Sequence, residues 1–170
     1  KDKVEETEYF KKLANLIRGK KAVVIHYPES LHKLSIELGY APVKVVSWVY
    51  NSNNQRQHRD IAFYNGKPDF TKVLQPYKNP NDKRIRERIS RGITGCKIYD
   101  WWNINQVKNV SKEKSKHPCQ MPLTVMKNIV GILPNETIID YFCGSGTTLL
   151  AAKELDRNYI GFEIDKEYCQ

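Results

Sequence analysis

A pair of glycines near the C-terminus, between an apolar run and a helical pattern, constrains the fold of this chain more than any other feature. The apolar run at residues 137–139 leads into Asp140-Tyr141-Phe142-Cys143-Gly144-Ser145-Gly146-Thr147-Thr148, and Leu149-Leu150-Ala151-Ala152 follows. This order predicts a strand, a glycine turn that lets a ligand approach the backbone, and a helix whose N-terminus favours negative charge. A second apolar run, residues 159–162, ends in Glu163, and an acid in that place suits a ribose diol. The stretch therefore predicts half of a nucleoside-binding fold.

The spacing of the glycines narrows the ligand class. A dinucleotide-binding turn has the pattern G-x-G-x-x-G, whereas Leu149 stands where the third glycine would be. An NAD-dependent enzyme is therefore disfavoured. The pattern D-x-F-x-G-x-G-T-T resembles instead the cofactor loop of S-adenosylmethionine-dependent methyltransferases. An ordinary strand-turn-helix that binds nothing is the remaining alternative.

Composition disfavours several other classes of protein. The chain has 170 residues, 40% of them hydrophobic, which suffices for one globular domain with a core. No apolar run approaches the roughly 20 residues that span a bilayer, and the chain opens on charged residues rather than a secretory signal. The four cysteines, Cys96, Cys119, Cys143 and Cys169, form no C-x-x-C pair. We therefore expect no metal site, no membrane partner and a cytoplasmic protein.

The basic residues are concentrated in one segment. The formal net charge is +9, and residues 71–116 carry twelve Lys or Arg residues against four Asp or Glu residues. Aromatic residues interleave with them, including Tyr77, Tyr99, Trp101 and Trp102. A charge run is usually a solvated face, but so local an excess, mixed with aromatic residues, favours a polyanion. The segment therefore predicts double-stranded DNA as the partner.

Periodicity predicts alternating helices and strands, and hence an α/β sheet. Helical spacing occurs at residues 4–18, 31–38 and 123–132, and strand patterns occur at 21–25, 43–49, 60–64, 137–141 and 159–163. A short basic helix is predicted at 82–89, because Ile85 and Ile89 are four residues apart. Residues 103–116 show little periodicity and are predicted to form a loop. We expect Trp101 and Trp102 to anchor the basic segment on the core.

Several elements resemble those of the bacterial DNA amino-methyltransferases, which methylate adenine N6 or cytosine N4. They are His117-Pro118-Cys119-Gln120-Met121-Pro122, the loop at 140–148, Gly161-Phe162-Glu163-Ile164-Asp165, and Trp48-Val49-Tyr50-Asn51, which resembles the family's W-x-K-N. Their order is that of the family's β group. The resemblance implies a Rossmann-like S-adenosylmethionine-dependent methyltransferase fold with a small basic insertion. It also implies that residues 1–70 and 117–170 are parts of one catalytic α/β domain and that residues 71–116 are a target-recognition region.

The resemblance implies a cofactor, S-adenosylmethionine, and roles for named residues. Glu163 would bind the ribose hydroxyls, and residues 117–122 would line the methionine end. The predicted cofactor set is His117, Pro118, Gln120, Asp140, Phe142, Gly144, Ser145, Gly146, Thr147, Thr148 and Glu163. The family usually has a lysine where this chain has Met121, so Thr147, Thr148 or Gln120 would have to hold the cofactor carboxylate. The predicted DNA-binding set is Asn51, Asn53, Arg56, His58, Arg59, Lys83, Arg84, Arg86 and Arg88.

The family's catalytic loop, [DNS]-P-P-[YFW], is absent from these 170 residues, which contain no Pro-Pro and no Asp-Pro pair. In that loop a polar side chain and a proline carbonyl accept the two amine hydrogens and localise the nitrogen lone pair, while the aromatic residue stacks on the flipped base. No catalytic residue is therefore assigned. In the family's order the loop lies upstream of Lys1, so we interpret the chain as the C-terminal part of such an enzyme and expect it to be inactive alone.

The sequence thus predicts a site-specific DNA methyltransferase of a restriction-modification system that acts on an exocyclic amine, with adenine N6 favoured over cytosine N4. One alternative is a non-catalytic DNA-binding subunit with a degenerate methyltransferase fold. Another is a cytosine-C5 enzyme that uses Pro118-Cys119, which the order of the motifs disfavours, so Cys119 is expected to be a partly buried, apolar residue. A homodimer, or a partner chain that supplies missing sheet strands, also stays open.

Overall fold

The structure, a computed structural model, describes residues 3–52, 55–108 and 111–168, which contain five α-helices and eight strands. In chain order they are α1 (Lys3–Ile17), β1 (Ala22–His26), α2 (Pro28–Leu38), β2 (Lys44–Val49), β3 (His58–Tyr64), β4 (Leu74–Gln75), α3 (Lys83–Ser90), β5 (Cys96–Lys97), β6 (Trp101–Asn103), α4 (Leu123–Ile132), β7 (Ile138–Asp140), α5 (Thr147–Glu154) and β8 (Tyr159–Gly161). The chain divides into two compact units. The first unit is Lys1–Pro68 with Asp100–Gln106, and the second unit is Asp69–Tyr99 with Val107–Gln170.

The first unit is built on a mixed four-stranded sheet in the order β1-β3-β2-β6. Strand β3 runs antiparallel to both of its neighbours, and His26 of β1 lies opposite Asp60. Strand β6 joins the far edge parallel to β2, with Trp102 opposite Trp48. The long strands are rich in Val, Ile and aromatic residues, which fit a pleated and buried surface.

Helices α1 and α2 cover one face of this sheet. Their apolar residues recur at helical spacing and form one buried cluster with two residues of β3: Phe10, Leu13, Ala14, Ile17, Leu31, Leu34, Leu38, Ala62 and Tyr64. Pro28 stands in the first turn of α2, where a backbone N–H would have no partner within the helix. Gly39 ends the helix with a φ of 81°, and its N–H donates to the carbonyls of Ser35 and Ile36.

The second unit contains the parallel pair β7–β8 and the helices α4 and α5. The two helices pack against each other, and their buried residues include Val125, Ile129, Val130, Ala151 and Ala152. The guanidinium of Arg157 connects the C-terminal end of α4 to the segment that leads into β7. Arg157 donates to the carbonyls of Val130 at 3.1 Å and Glu136 at 2.7 Å, and also to that of Pro134.

The basic segment of the second unit consists of the antiparallel ribbon β4–β5 and helix α3. Asp82 begins the helix, because its carboxylate accepts from the N–H groups of Arg84 at 2.9 Å and Ile85 at 3.3 Å. The helix has no fully buried residue, so its basic side chains lie on an open surface.

The predicted helices and strands are confirmed, with ends that differ by at most three residues. Strands β4, β5 and β6 were not predicted, because no aliphatic run marks them, whereas such runs mark the equally short β7 and β8. Strand β6 places Trp102 in the first unit's sheet and buries it, while Trp101 stays half-exposed. Asn103 belongs to β6, but the described residues after it form a loop up to α4, as predicted. None of the described helices is long and apolar enough to cross a membrane.

Candidate cofactor site and basic surface

The glycine turn links β7 to α5 in the order that the sequence predicts. The Asp140 carboxylate accepts from the N–H of Phe142 at 3.0 Å, and the Cys143 carbonyl accepts from the N–H of Gly146 at 2.8 Å. Gly144 has a φ of 51° and Gly146 a φ of 74°. Residues with a Cβ rarely adopt such angles, so both positions require glycine for the backbone path itself.

Glu163 lies against this turn, at the end of the neighbouring parallel strand. One carboxylate oxygen accepts from the N–H of Gly144 at 2.7 Å, and the other accepts from the N–H of Asp165 at 2.9 Å. These backbone donors, that of Asp165 first and that of Gly144 next, hold the pKa of Glu163 below its usual value. The carboxylate is therefore fixed and charged at the carboxyl ends of two adjacent parallel strands, where open α/β sheets bind their ligands.

His117 brings the upstream motif to the same turn. A Cβ built on Gly144 would lie 3.0 Å from Nε2 of the imidazole, so the ring covers that glycine closely. The ring of Tyr168 also packs on the imidazole, at 4.5 Å between centroids in an edge arrangement. Nδ1 of His117 accepts from the N–H of Cys119 at 3.2 Å. The predicted residues His117, Gly144 and Glu163 therefore form one cluster.

Other members of the predicted cofactor set have structural partners. The Gln120 amide accepts from the N–H of Ser115 at 2.6 Å and donates to the carbonyl of Glu113 at 2.6 Å. Thr147 is buried, and its hydroxyl is 3.1 Å from that of Ser145. Pro118 is exposed, and Thr148 is half-buried in the first turn of α5.

Cys119 contradicts the expectation of a partly buried, apolar residue, because it is exposed. The reason is local. The side chains of His117 and Gln120, on either side of Cys119, bond to the backbone of their own loop, and the side chain of Cys119 is left at the surface. No group of three or more His, Cys, Asp or Glu residues in the described ranges could hold a metal ion.

Two large apolar side chains stand open beside the turn. Phe142 is 67% exposed and Ile164 is 98% exposed. Phe142 belongs to the predicted set, but Ile164 was missed. Its signal in the sequence is an isoleucine placed directly between two acids, Glu163 and Asp165, after the strand has ended. An apolar residue so fully exposed is suited to cover the flat face of a ligand.

Two of the predicted DNA-binding residues of the first unit, Arg56 and Arg59, lie against one tyrosine. The guanidinium of Arg56 lies 4.3 Å from the ring centroid of Tyr27 and pairs with Glu29 at 3.0 Å. That of Arg59 lies 5.3 Å from the same centroid and 6.0 Å from that of Trp48. Its hydrogen bond to Tyr27 is the largest cause that lowers the pKa of that phenol. Glu29 therefore offsets the charge of Arg56, whereas Arg59 adds positive charge at the end of β1.

The remaining predicted DNA-binding residues differ in their setting. His58 and Asn51 are exposed, and the backbone N–H of Asn51 donates to the side chain of Asn105 at 3.4 Å. Asn53 lies outside the described residues. The four basic residues of α3 are all exposed: Lys83, Arg84, Arg86 and Arg88. Arg88 also donates to the hydroxyl of Tyr77 at 3.0 Å, which orients it.

Solved structures define the class of fold. The crystal structure of the M1.HpyAVI-SAM complex matches with a TM-score of 0.61 at 23% identity, over 100% of this chain and 81% of that one. PvuII DNA methyltransferase, which is cytosine-N4-specific, matches with a TM-score of 0.67 at 17% identity, over 98% of this chain and 70% of that one. The fold is therefore the Rossmann-like fold of S-adenosylmethionine-dependent DNA methyltransferases, as predicted.

The sequence itself shows the family. The profile of the DNA methylase family N6_N4_Mtase matches residues 7–170, and the chain belongs to that family. Type II methyltransferase M.BglII of Bacillus subtilis is 30% identical over 147 residues, which are 77% of this chain and 41% of that protein. Type II methyltransferase M.HindIII of Haemophilus influenzae is 48% identical over 117 residues, which are 58% of this chain and 37% of that protein. The chain thus spans about two fifths of the length of these relatives.

Proposed function

We propose that the protein transfers the methyl group of S-adenosylmethionine to an exocyclic amine of a base in double-stranded DNA. Adenine N6 is favoured, and a 26% identical relative over 134 residues, YhdJ of Escherichia coli, is a DNA adenine methyltransferase. Cytosine N4 is the other candidate, since the PvuII enzyme is cytosine-N4-specific. The type II relatives support a role in restriction-modification, in the cytoplasm where the DNA lies.

The hydrogen bond between Glu163 and the N–H of Gly144 carries this proposal. It joins the acid after β8 to the glycine turn after β7. A carboxylate that accepts from backbone N–H groups is held in place, so its oxygens keep one direction toward a ligand. That arrangement suits the two neighbouring hydroxyls of a ribose.

The other residues of the turn fit the same cofactor. A Cβ on Gly146 would meet no atom within 4 Å, so the space beside this glycine is open. Phe142 and Ile164 offer exposed apolar surface next to Glu163. S-adenosylmethionine, when bound, supplies an electrophilic methyl group on a sulfonium sulfur. The residues of this chain bind and orient that cofactor, and none of them is assigned to the activation of the amine.

Helix α3 and its neighbours provide the DNA contacts in this proposal. Exposed arginine side chains neutralise phosphates, and the resulting release of counterions drives non-specific binding. The amino-methyltransferase reaction also requires the target base to leave the stack, which exposes its amine to the cofactor. The loop at Asn51 to His58 and Arg59 would lie on the side of the base, as the resemblance implies.

Calorimetry with S-adenosylmethionine on the full-length protein tests the cofactor site. Glu163→Ala removes the ribose acceptor, and we expect a loss of about 1.5–3 kcal/mol of binding free energy, as for hydrogen bonds to charged groups. Glu167→Ala is the matched control, because it removes a nearby exposed acid that lies outside the predicted cofactor set. Unchanged affinity in Glu163→Ala would refute the ribose role.

A methylation assay with tritiated cofactor tests the reaction, and digestion of the labelled DNA to nucleosides identifies the base. Label in N6-methyladenosine supports the favoured assignment, and label in N4-methylcytosine supports the other. DNA binding by the full-length protein without transfer of label would favour the non-catalytic DNA-binding subunit.

A further inference from the structure

The loop that precedes α4 is held in shape by two of its own side chains. Gln120 bridges the N–H of Ser115 and the carbonyl of Glu113 with its amide. Glu113 in turn accepts from the N–H of Leu123 at 3.2 Å and so caps the first turn of α4, where Pro122 has no capping side chain. The residues on both sides of position 114 are therefore fixed, one through its carboxylate and one through its backbone.

Lys114 directs its ammonium back into this loop. Nζ donates to the carbonyl of His117, whose imidazole lies against Gly144 of the glycine turn. Lys114 is half-buried, whereas its neighbours Lys112 and Lys116 are exposed. The loop thus selects one of three closely spaced lysines and places its charge on the segment that touches the turn.

The turn needs such a charge if its ligand carries an amino-acid carboxylate. Residues 137–148 and 159–165 contain three acids, Asp140, Glu163 and Asp165, and no Lys or Arg. Of the three neutral candidates, Gln120 and Thr147 already have polar partners within the loop and the turn, and Thr148, in the first turn of α5, carries no charge. A carboxylate taken from water into an acidic surrounding is unfavourable unless a cation and its hydrogen-bond donors meet it.

We propose that Lys114 binds the carboxylate of the methionine part of S-adenosylmethionine. It thereby replaces the lysine that the family usually has where this chain has Met121. This inference rests on the proposed function. An ammonium has three hydrogens. One donates to the His117 carbonyl and orients the group, and the other two are directed to the ligand carboxylate. Lys114 then gives specificity for ligands that keep the amino-acid end of S-adenosylmethionine, while Glu163 binds the ribose hydroxyls.

Two ligands separate these roles in binding measurements on the full-length protein. S-adenosylhomocysteine carries the carboxylate, whereas 5′-methylthioadenosine keeps the adenosine and the thioether but lacks the amino-acid end. We expect Lys114→Ala to weaken S-adenosylhomocysteine about tenfold, a factor that corresponds to about 1.4 kcal/mol, and to leave 5′-methylthioadenosine within about twofold. Lys114→Arg, which keeps the charge, should retain most of the affinity. Lys112→Ala and Lys116→Ala are the matched controls and should change neither ligand.

Each outcome decides the matter. Equal loss of both ligands in Lys114→Ala, or no loss of either, overturns the role of Lys114 while the proposed function stands. An equal loss in Lys116→Ala also overturns it, because charge anywhere on the loop would then suffice. If the unaltered protein binds neither ligand, the proposed function fails and this inference fails with it. Thermal melting of each variant without ligand shows whether a loss of affinity reflects a loss of folding.

Discussion

At the scale of single residues, Gly144 and Gly146 have similar backbone angles in different surroundings. A Cβ at Gly144 would press on the imidazole of His117, whereas a Cβ at Gly146 meets open space. We expect Gly146→Ala to cost about 1–2 kcal/mol of unfolding free energy from the left-handed backbone alone, and Gly144→Ala to cost more, because His117 must also move. Urea unfolding measures both. A Gly146→Ala variant that is the less stable of the two would contradict this account of the turn.

The charge on Glu163 makes part of the stability dependent on pH. Backbone donors lower its pKa in the folded protein, so its contribution is present above the unfolded pKa of about 4.3 and is lost as the pH falls through the lower folded value. Glu163→Gln should therefore be less stable than the unaltered protein near neutral pH, and the difference should shrink in acid. Unfolding by urea at several pH values measures it, with Glu167→Gln as control. A difference that persists unchanged in acid would argue against a charged partner of Gly144.

Some residue roles could be predicted from the sequence and others could not. Gly144 and Gly146 were predictable, because two glycines at this spacing indicate a tight turn of the backbone. Glu163 was predictable from its place directly after a strand pattern. Their roles toward a ligand remain predictions. The partners of Gln120 and Arg56 were not predictable, because a side chain that bonds to a nearby backbone or acid looks the same in sequence as one that is free for a ligand.

At the scale of elements, Arg157 closes the end of α4. Its guanidinium donates to the carbonyls of Val130, Pro134 and Glu136 and so ties the helix end to the turn before β7. Arg157→Ala should lower the unfolding free energy by about 1.5–3 kcal/mol, because three carbonyls, two of them part-buried, lose a charged donor together. Arg91→Ala, which breaks only an exposed pair with Glu87, should cost about 0.5 kcal/mol or less. Similar losses in the two variants, by chemical denaturation, would show that Arg157 is not a structural clamp.

Elements were predictable where a period or an apolar run marked them, as the runs at residues 137–139 and 159–162 marked the short strands β7 and β8. The helices α1, α2 and α4 repeat their apolar stripe over several turns, and the long strands of the first unit carry runs of β-branched residues. Strand β6 could not be predicted, since no aliphatic run marks it and its place follows only from pairing with β2. Its Trp102 is buried for the same non-local reason.

At the scale of the whole molecule, the basic charge belongs chiefly to one segment, and this gives a test of DNA binding. Replacing Arg84, Arg86 and Arg88 with Ala should weaken DNA binding and flatten its salt dependence by about 0.9 in slope for each phosphate that is no longer neutralised. Lys11, Lys12 and Lys20, which are exposed in the first unit, provide a control with the same change in net charge. Binding titrations at several salt concentrations give both slopes. Equal slopes in the two triple variants would show that the basic side chains of α3 are solvated and do not contact DNA.

Turnover is the second test at this scale. The 170 residues contain no D-P-P-Y loop, so nothing in them is assigned to localise the amine lone pair. We expect residues 1–170, produced alone, to give no methyl transfer in the tritium assay, with the full-length protein as the positive control. Robust transfer by the 170 residues would show that another segment performs the role of that loop.

The hydrogen bond from the indole of Trp48 to the carbonyl of Ile104, at 2.6 Å, spans 56 residues of chain. A ribosome delivers β1, β2 and β3 together, but it delivers β6 only after residues 69–99 have been made. Until then β2 is an edge strand of the nascent sheet, and an unpaired edge is a template for pairing with other chains. The folding yield should therefore depend on the speed of translation through residues 69–99. Synonymous codon changes in that segment alone should alter how much soluble protein a cell accumulates.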